Sequence, residues 1–141
     1  MHIEVFHEIE GQKAPFHPGL NKILLNILED HGRELSYMNI VVMDDEQLLQ
    51  INRDFLQHDD YTDVITFNYA EEGIPVEAEL YLSLPRIEEN ALIFGRAFAE
   101  ELHRVVVHGT LHLAGYQDDT QIAKKEMQVV ENKYLAQLSF T

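Results

Sequence analysis

Two histidines four residues apart carry the chemistry that this sequence offers. In the segment His108-Gly109-Thr110-Leu111-His112-Leu113-Ala114-Gly115-Tyr116-Gln117-Asp118, helical spacing puts residues i and i+4 on nearly the same face, so both imidazoles aim at one point. Gly115 supplies the left-handed residue that ends a helix and turns the chain, and Asp118, three residues later, comes back toward the rings as a third ligand. Two neutral imidazole nitrogens and one carboxylate oxygen suit a single Zn2+ ion, with a fourth position left for water. The same three groups also describe the non-haem iron triad, so residue types alone leave the metal open. Asp119 is the rival carboxylate, and Asp118, Asp119 and Thr120 also stand where the last helix needs its N-cap. Gly109 leaves room beside the helix for a substrate or another backbone. The other histidines, His2, His7, His17, His31, His58 and His103, show no paired spacing. His103 is expected to point away from the His108 face.

The elements that must position these groups are legible from periodicity. Ile3, Val5 and Ile9 lie between polar residues as an opening strand. Pro18 stands where a first helical residue belongs, and Leu20, Ile23, Leu24, Ile27 and Leu28 follow at helical spacing up to His31-Gly32. Met38 to Met43 is a short apolar run, a buried strand. Asp44 and Gln47 form a capping-box pattern before a helix whose inner stripe is Leu48, Ile51 and Phe55. Val64 to Tyr69 and the alternating Ala78, Leu80 and Leu82 predict a hairpin joined through Gly73 and Pro75. Three helical stretches follow: Ile87, Ala91 and Phe94 up to Gly95; Phe98 through Leu113; and a last one carrying Met127, Val130, Tyr134 and Leu138. The expected fold is α+β, a small mixed β-sheet of about four strands packed against about five helices.

A chain of 141 residues is expected to form one domain, residues 1–141, with a core that needs neither disulfide nor structural metal. With no cysteine, a disulfide framework, a thiolate metal site and a cysteine nucleophile are all excluded. No apolar run approaches a membrane span. Met1-His2-Ile3-Glu4-Val5 has neither the basic nor the apolar region of a signal peptide, which predicts a cytoplasmic protein. The formal net charge is −15, and such a surface repels nucleic acid. Any nucleic-acid function must therefore be local, built from a small basic cleft or from the metal itself.

At its histidine segment the chain resembles the YbeY family of bacterial rRNA-maturation endoribonucleases, whose pattern H-G-x-L-H-L-x-G-Y-D-H is matched throughout positions 108 to 116. Thr62-Asp63-Val64-Ile65-Thr66-Phe67, Glu79-Leu80-Tyr81-Leu82-Ser83 and the helix from Glu126 to Leu135 are similar to further family segments in order and spacing. Two positions depart from the pattern. The family's third metal histidine falls on Asp118, preceded by Gln117, and a catalytic arginine before the T-D-V strand falls on Leu56. Arg53 and His58 flank that position and are the candidate replacements.

The resemblance implies a zinc-dependent endoribonuclease specific for single strands. The metal held by His108, His112 and Asp118 would lower the pKa of a bound water and polarise a phosphate oxygen. The implied substrate is RNA rather than DNA, the 3′ region of 16S rRNA in the context of the ribosome and of ribosome quality control, with no membrane partner. Tyr116 is expected to pack the turn. Two other readings compete. The spacing of 108, 112 and 118 equals that of the metzincin peptidases, but Gly109 stands where their glutamate base belongs, and Glu101 lies two turns too far along the helix to replace it. Alternatively, the metal is structural and the protein is a non-catalytic ribosome-assembly factor.

Overall fold

Strand alternation and helical stripes fold into one sheet with helices on both of its faces. The structure, a computed structural model, describes residues 2–139; Met1, Phe140 and Thr141, part of the expected 1–141 unit, lie outside them. The elements run β1 (Ile3–His7), α1 (Leu20–Asp30), β2 (Leu35–Met43), α2 (Asp45–Leu56), β3 (Val64–Asn68), β4 (Val76–Ser83), α3 (Leu84–Phe94), α4 (Phe98–Leu113) and α5 (Gln121–Leu135). Strand order is β1-β2-β4-β3. The first three of these are parallel, and β3 runs antiparallel to β4 at the edge. Among the described residues this is the expected α+β fold, a mixed sheet of four strands with five helices.

The core lies on one face of the sheet, where Met38, Ile40, Val42, Ala78, Leu80 and Leu82 are fully buried against α1, α3, α4 and α5. Helix α4 is central. Residues on nearly every side of it, from Glu101 to Leu113, are buried, as a helix enclosed by other elements must be. Its Val105-Val106-Val107 run is poor in intrinsic helix propensity, so tertiary burial decides the conformation there. Gly109 is what lets α4 settle on the sheet. A β-carbon at that position would meet Thr66 Oγ1 at 2.8 Å and the Leu80 side chain at 3.0 Å. The space beside Gly109 is therefore filled by strand side chains rather than by a substrate or a backbone. On the other face α2 covers a smaller cluster of Met43, Leu48 and Ile65.

Local details differ from the periodicity in four places. Helix α1 begins at Leu20, not Pro18, because Pro18 and Gly19 are held in a turn: His17 Nδ1 accepts from Gly19 N at 2.8 Å and the His17 carbonyl from Leu20 N at 3.1 Å, and Gly19 is the N-cap, with no side-chain cap bond. The capping box of α2 is present, but its buried stripe is Leu48, Leu49 and Asn52, and Phe55 is 66% exposed. Asn52 takes the inner place because it ties down the connector that follows, its amide donating to the Asp60 carbonyl at 2.8 Å while its own carbonyl accepts from His58 N. Phe94 is exposed beneath the Arg96 guanidinium, and Leu138 packs on the core from beyond the end of α5.

His103 faces away from His108, as expected, and is buried. Its Nδ1–H donates to the Ala99 carbonyl at 2.6 Å, so Nε2 is the acceptor for the His17 amide at 2.8 Å. Burial lowers the pKa of this imidazole, opposed by the bond to Ala99 and reinforced by the nearby His17 ring.

Two outcomes follow for stability. Gly109→Ala should gain helix propensity yet lose about 1–3 kcal/mol through overpacking against Thr66 and Leu80; chemical denaturation reads this, and a variant as stable as the parent would show that α4 has slack on the sheet. His103 folds neutral, so the unfolded chain binds the extra proton below its ordinary value of 6.5. Its contribution is complete above that value and is lost as pH falls from there through the lower folded value. In chelator-treated protein, His103→Gln should therefore lose less stability than the parent between neutral pH and roughly pH 5.5, and equal losses would remove this role from His103.

Candidate metal centre

Helix α4 delivers His108 and His112 on one face near its C-terminal end, and Gly115, at φ 109, then turns the chain. The turn returns Asp118 to the rings. His108 Nε2 lies 3.2 Å from His112 Nε2. Asp118 Oδ2 lies 3.2 Å from the first nitrogen and 3.5 Å from the second.

The tautomers follow from what the other ring nitrogens touch. His108 Nδ1 is 2.7 Å from Glu131 Oε2, and His112 Nδ1 is 3.0 Å from the Tyr116 carbonyl. Carboxylate and carbonyl oxygens only accept, so both Nδ1 atoms carry hydrogen and both Nε2 atoms present lone pairs. Three electron-pair donors thus converge on one point, as the ligands of a cation do. Around an ion about 2.0–2.1 Å from each ligand, tetrahedral donors stand roughly 3.3 Å apart, which is the separation seen. The donor set and its spacing both fit a metal ion, and His108, His112 and Asp118 form the metal-competent cluster among the described residues.

The surroundings hold this arrangement. Glu131 is buried on α5, and its other oxygen accepts from Arg104 at 3.1 Å. Arg104 also bonds Glu100 and Asn132. A carboxylate behind a ligating histidine orients the ring and raises its basicity. Burial alone would lower the pKa of the His108 ring, but the bond to Glu131 and the charges of Glu131, Asp118 and Asp63 outweigh it and hold the ring above its ordinary value. Asp63 is pushed up by burial, with His108 pulling it part of the way back. Tyr116 packs the turn as expected: its hydroxyl donates to His31 Nε2 at 3.0 Å, since His31 Nδ1–H is committed to the Ile27 carbonyl.

The donors line an open cavity of about 840 Å³ whose far wall is β3, with Val64, Thr66 and Asn68. Of the residues flanking Leu56, His58 reaches this cavity. Arg53 does not line it and is ion-paired with Asp59. Asp119 takes no part in the cluster, and the α5 N-cap is Thr120, which accepts from Ala123 N at 3.0 Å. Asp118 is thus released from the capping role that competed for it. Sequence reasoning missed Glu131 and Arg33, the second of which also lines the cavity. A signal for Glu131 was present, since Met127, Glu131 and Tyr134 share one buried stripe of α5 and a carboxylate there needs a partner.

A family model described as Endoribonuclease YbeY matches residues 7–139. An Endoribonuclease YbeY of Bacteroides thetaiotaomicron is 39% identical over 134 residues, covering 94% of this chain and 97% of the relative. One from Cytophaga hutchinsonii is 43% identical, covering 73% and 72%. Among solved structures, the solution structure of TM1509 from Thermotoga maritima superposes with a TM-score of 0.65 at 28% identity, covering 96% of this chain and 90% of that one.

Replacing His108 or His112 by Ala should abolish stoichiometric metal while leaving the apolar core folded, as read by elemental analysis and circular dichroism. Asp118→Ala should weaken binding, and Asp119→Ala should not; the reverse would make Asp119 the ligand. Glu131→Gln should lower metal affinity about 10- to 100-fold through the ring it supports, and unchanged affinity would reduce Glu131 to a packing residue.

Proposed function

This chain belongs to the endoribonuclease YbeY family and is a hydrolytic endoribonuclease; from that premise we propose that it cuts single-stranded RNA at the cleft beside α4, using one Zn2+ ion held by His108, His112 and Asp118. The observation that carries the reading is the convergence of three lone-pair donors, at 3.2–3.5 Å from one another, on the wall of an open cavity. A closed site would suit a purely structural metal; an open one leaves a coordination position for chemistry. Such an ion supplies Lewis acidity toward a phosphoryl oxygen and acidifies water beside it.

The chain's own residues prepare the site. Glu131 and the Tyr116 carbonyl keep hydrogen on the Nδ1 atoms, so that the Nε2 lone pairs stay aimed. Asp118 brings a negative charge to a position where the family pattern has a neutral ring. On the far wall, the side-chain oxygen of Asn68 is occupied by the Ala70 and Glu77 amides, which leaves its NH2 group as a donor. Thr66 adds a hydroxyl. A single strand can splay its bases and lay its backbone across such a cleft.

We place the substrate on the ribosome, at the 3′ region of 16S rRNA, and the protein in the cytoplasm, with residues 1–141 acting as one domain. A net charge of −15 repels free RNA, so delivery by a larger assembly supports encounter where bulk electrostatics opposes it. Among the described residues no helix is long and apolar enough to cross a membrane. The metzincin-like spacing does not extend to the base: the position after the first histidine is Gly109, packed against Thr66 and Leu80, where no glutamate can stand.

Purified protein with stoichiometric zinc should cleave single-stranded RNA oligonucleotides, lose that activity on chelation and regain it on zinc return. It should leave DNA and casein intact. His112→Ala should be inactive on RNA even when zinc is supplied. Chelator-sensitive casein hydrolysis that disappears with His108→Ala would overturn the assignment.

A further inference from the structure

The family pattern places a cation where this chain has Leu56, and neither neighbour supplies a permanently charged group to the cavity, since an imidazole is a cation only when protonated. Arg53 is committed to Asp59. The His58 ring lines the cavity from an exposed connector with no hydrogen bond of its own among the described residues. Another basic group reaches the cavity from a different part of the chain. Arg33 follows Gly32, whose positive φ of 70 ends α1, and its amide donates to the Leu28 carbonyl at 2.8 Å. Its guanidinium Nη1 donates to the Leu113 carbonyl at 3.3 Å. Its Nη2 lies 3.2 Å from where a β-carbon on residue 115 would stand, so Gly115 makes room for it. Arg33 therefore leans against the turn that leads to Asp118 and lines the same cavity as His108 and His112.

Its electrostatic situation sets it apart. The other four arginines are ion-paired: Arg53 with Asp59, Arg86 with Asp45 and Glu89, Arg96 with Glu101, and Arg104 with Glu100 and Glu131. Among the described residues Arg33 has no carboxylate partner. In a chain with 25 acidic and 10 basic residues, an arginine without one does not lack it for want of carboxylates. A guanidinium has five N–H donors in a planar fork that matches phosphate, and one bond to a backbone carbonyl leaves most of that fork unspent. The acceptor is the last carbonyl of α4, at the negative end of the helix dipole, which holds a cation in place without neutralising it.

We propose that Arg33 is the cleft's phosphate-binding cation, gripping the RNA backbone in place of the arginine missing at position 56; this rests on the endoribonuclease reading above. It is a substrate contact supplied by the α1–β2 connection rather than by the connector before β3.

The test compares zinc-loaded parent, Arg33→Ala, Arg33→Lys and Lys13→Ala, the last removing the same charge from an exposed site outside the cavity. Metal content, cleavage kinetics and binding of a fluorescent single-stranded RNA are measured across roughly 50–300 mM salt. Arg33→Ala should keep its zinc and bind RNA about tenfold more weakly. The slope of its log affinity against log salt should shrink by about 0.7. Arg33→Lys should keep the slope with intermediate affinity, and Lys13→Ala should match the parent. Parent-like affinity and slope in Arg33→Ala would overturn the inference while leaving the nuclease reading standing. Loss of zinc from Arg33→Ala in step with activity would also overturn it, making Arg33 a brace for the Asp118 turn. A zinc-loaded parent that neither binds nor cuts the RNA would overturn both this inference and the reading beneath it.

Discussion

Two imidazole nitrogens and a carboxylate oxygen facing one another at 3.2–3.5 Å repel unless a cation lies between them, and much of the surrounding structure exists to keep them there. The rings cannot rotate away because each is held from behind, one by Glu131 and the other by the Tyr116 carbonyl. Tyr116 cannot drift because His31 holds its hydroxyl, and Glu131 is anchored in turn by Arg104. The restraints come from α5, the turn after α4, the end of α1 and α4 itself. The cost of bringing like partial charges together is thus spread over the packing of the whole helical layer.

That arrangement explains which parts were legible in the sequence. Spacing within one helix is a local property, so His108 and His112 could be placed on one face without knowing any tertiary contact. Helix α4 was likewise legible, since Gly95 and Gly115 bracket the apolar run and the observed helix is Phe98–Leu113. Asp118 was ambiguous because it sits among three residues able to cap a helix; only the backbone path, which gives the cap to Thr120, resolves that choice. Glu131 and Arg33 lie 23 and 75 residues from His108 in the chain. Their roles depend on how α5 and the end of α1 dock on α4, which no local pattern encodes. Phe55 misled for a related reason: periodicity marks the apolar face of a helix but not how far its neighbour extends to cover it.

Gly109 shows how function and folding share one position. Read locally, a glycine beside a histidine suggests an opening for a ligand. In the fold it is a point where α4 packs tightly on the hairpin. The same close approach brings the β3 wall, with Thr66, to the cavity that the histidines line. The missing β-carbon is what lets the helix lie so close to that wall.

The departures at 118 and 56 can be understood together. A carboxylate in place of a neutral ring lowers the net positive charge of a metal centre by one unit and weakens its pull on phosphate. Losing an arginine from the connector before β3 weakens it further. Nearby carboxylates make matters worse, since Asp63 and Glu72 line the same cavity. A cleft so biased would reject its substrate unless a fixed positive charge stood close to the centre. Arg33 is placed for that purpose, braced on the Leu113 carbonyl and fitted against Gly115, three residues before the carboxylate that created the deficit. A guanidinium held by a backbone carbonyl keeps its full charge, whereas one paired with a carboxylate, as the other arginines are, would present a phosphate with little net attraction.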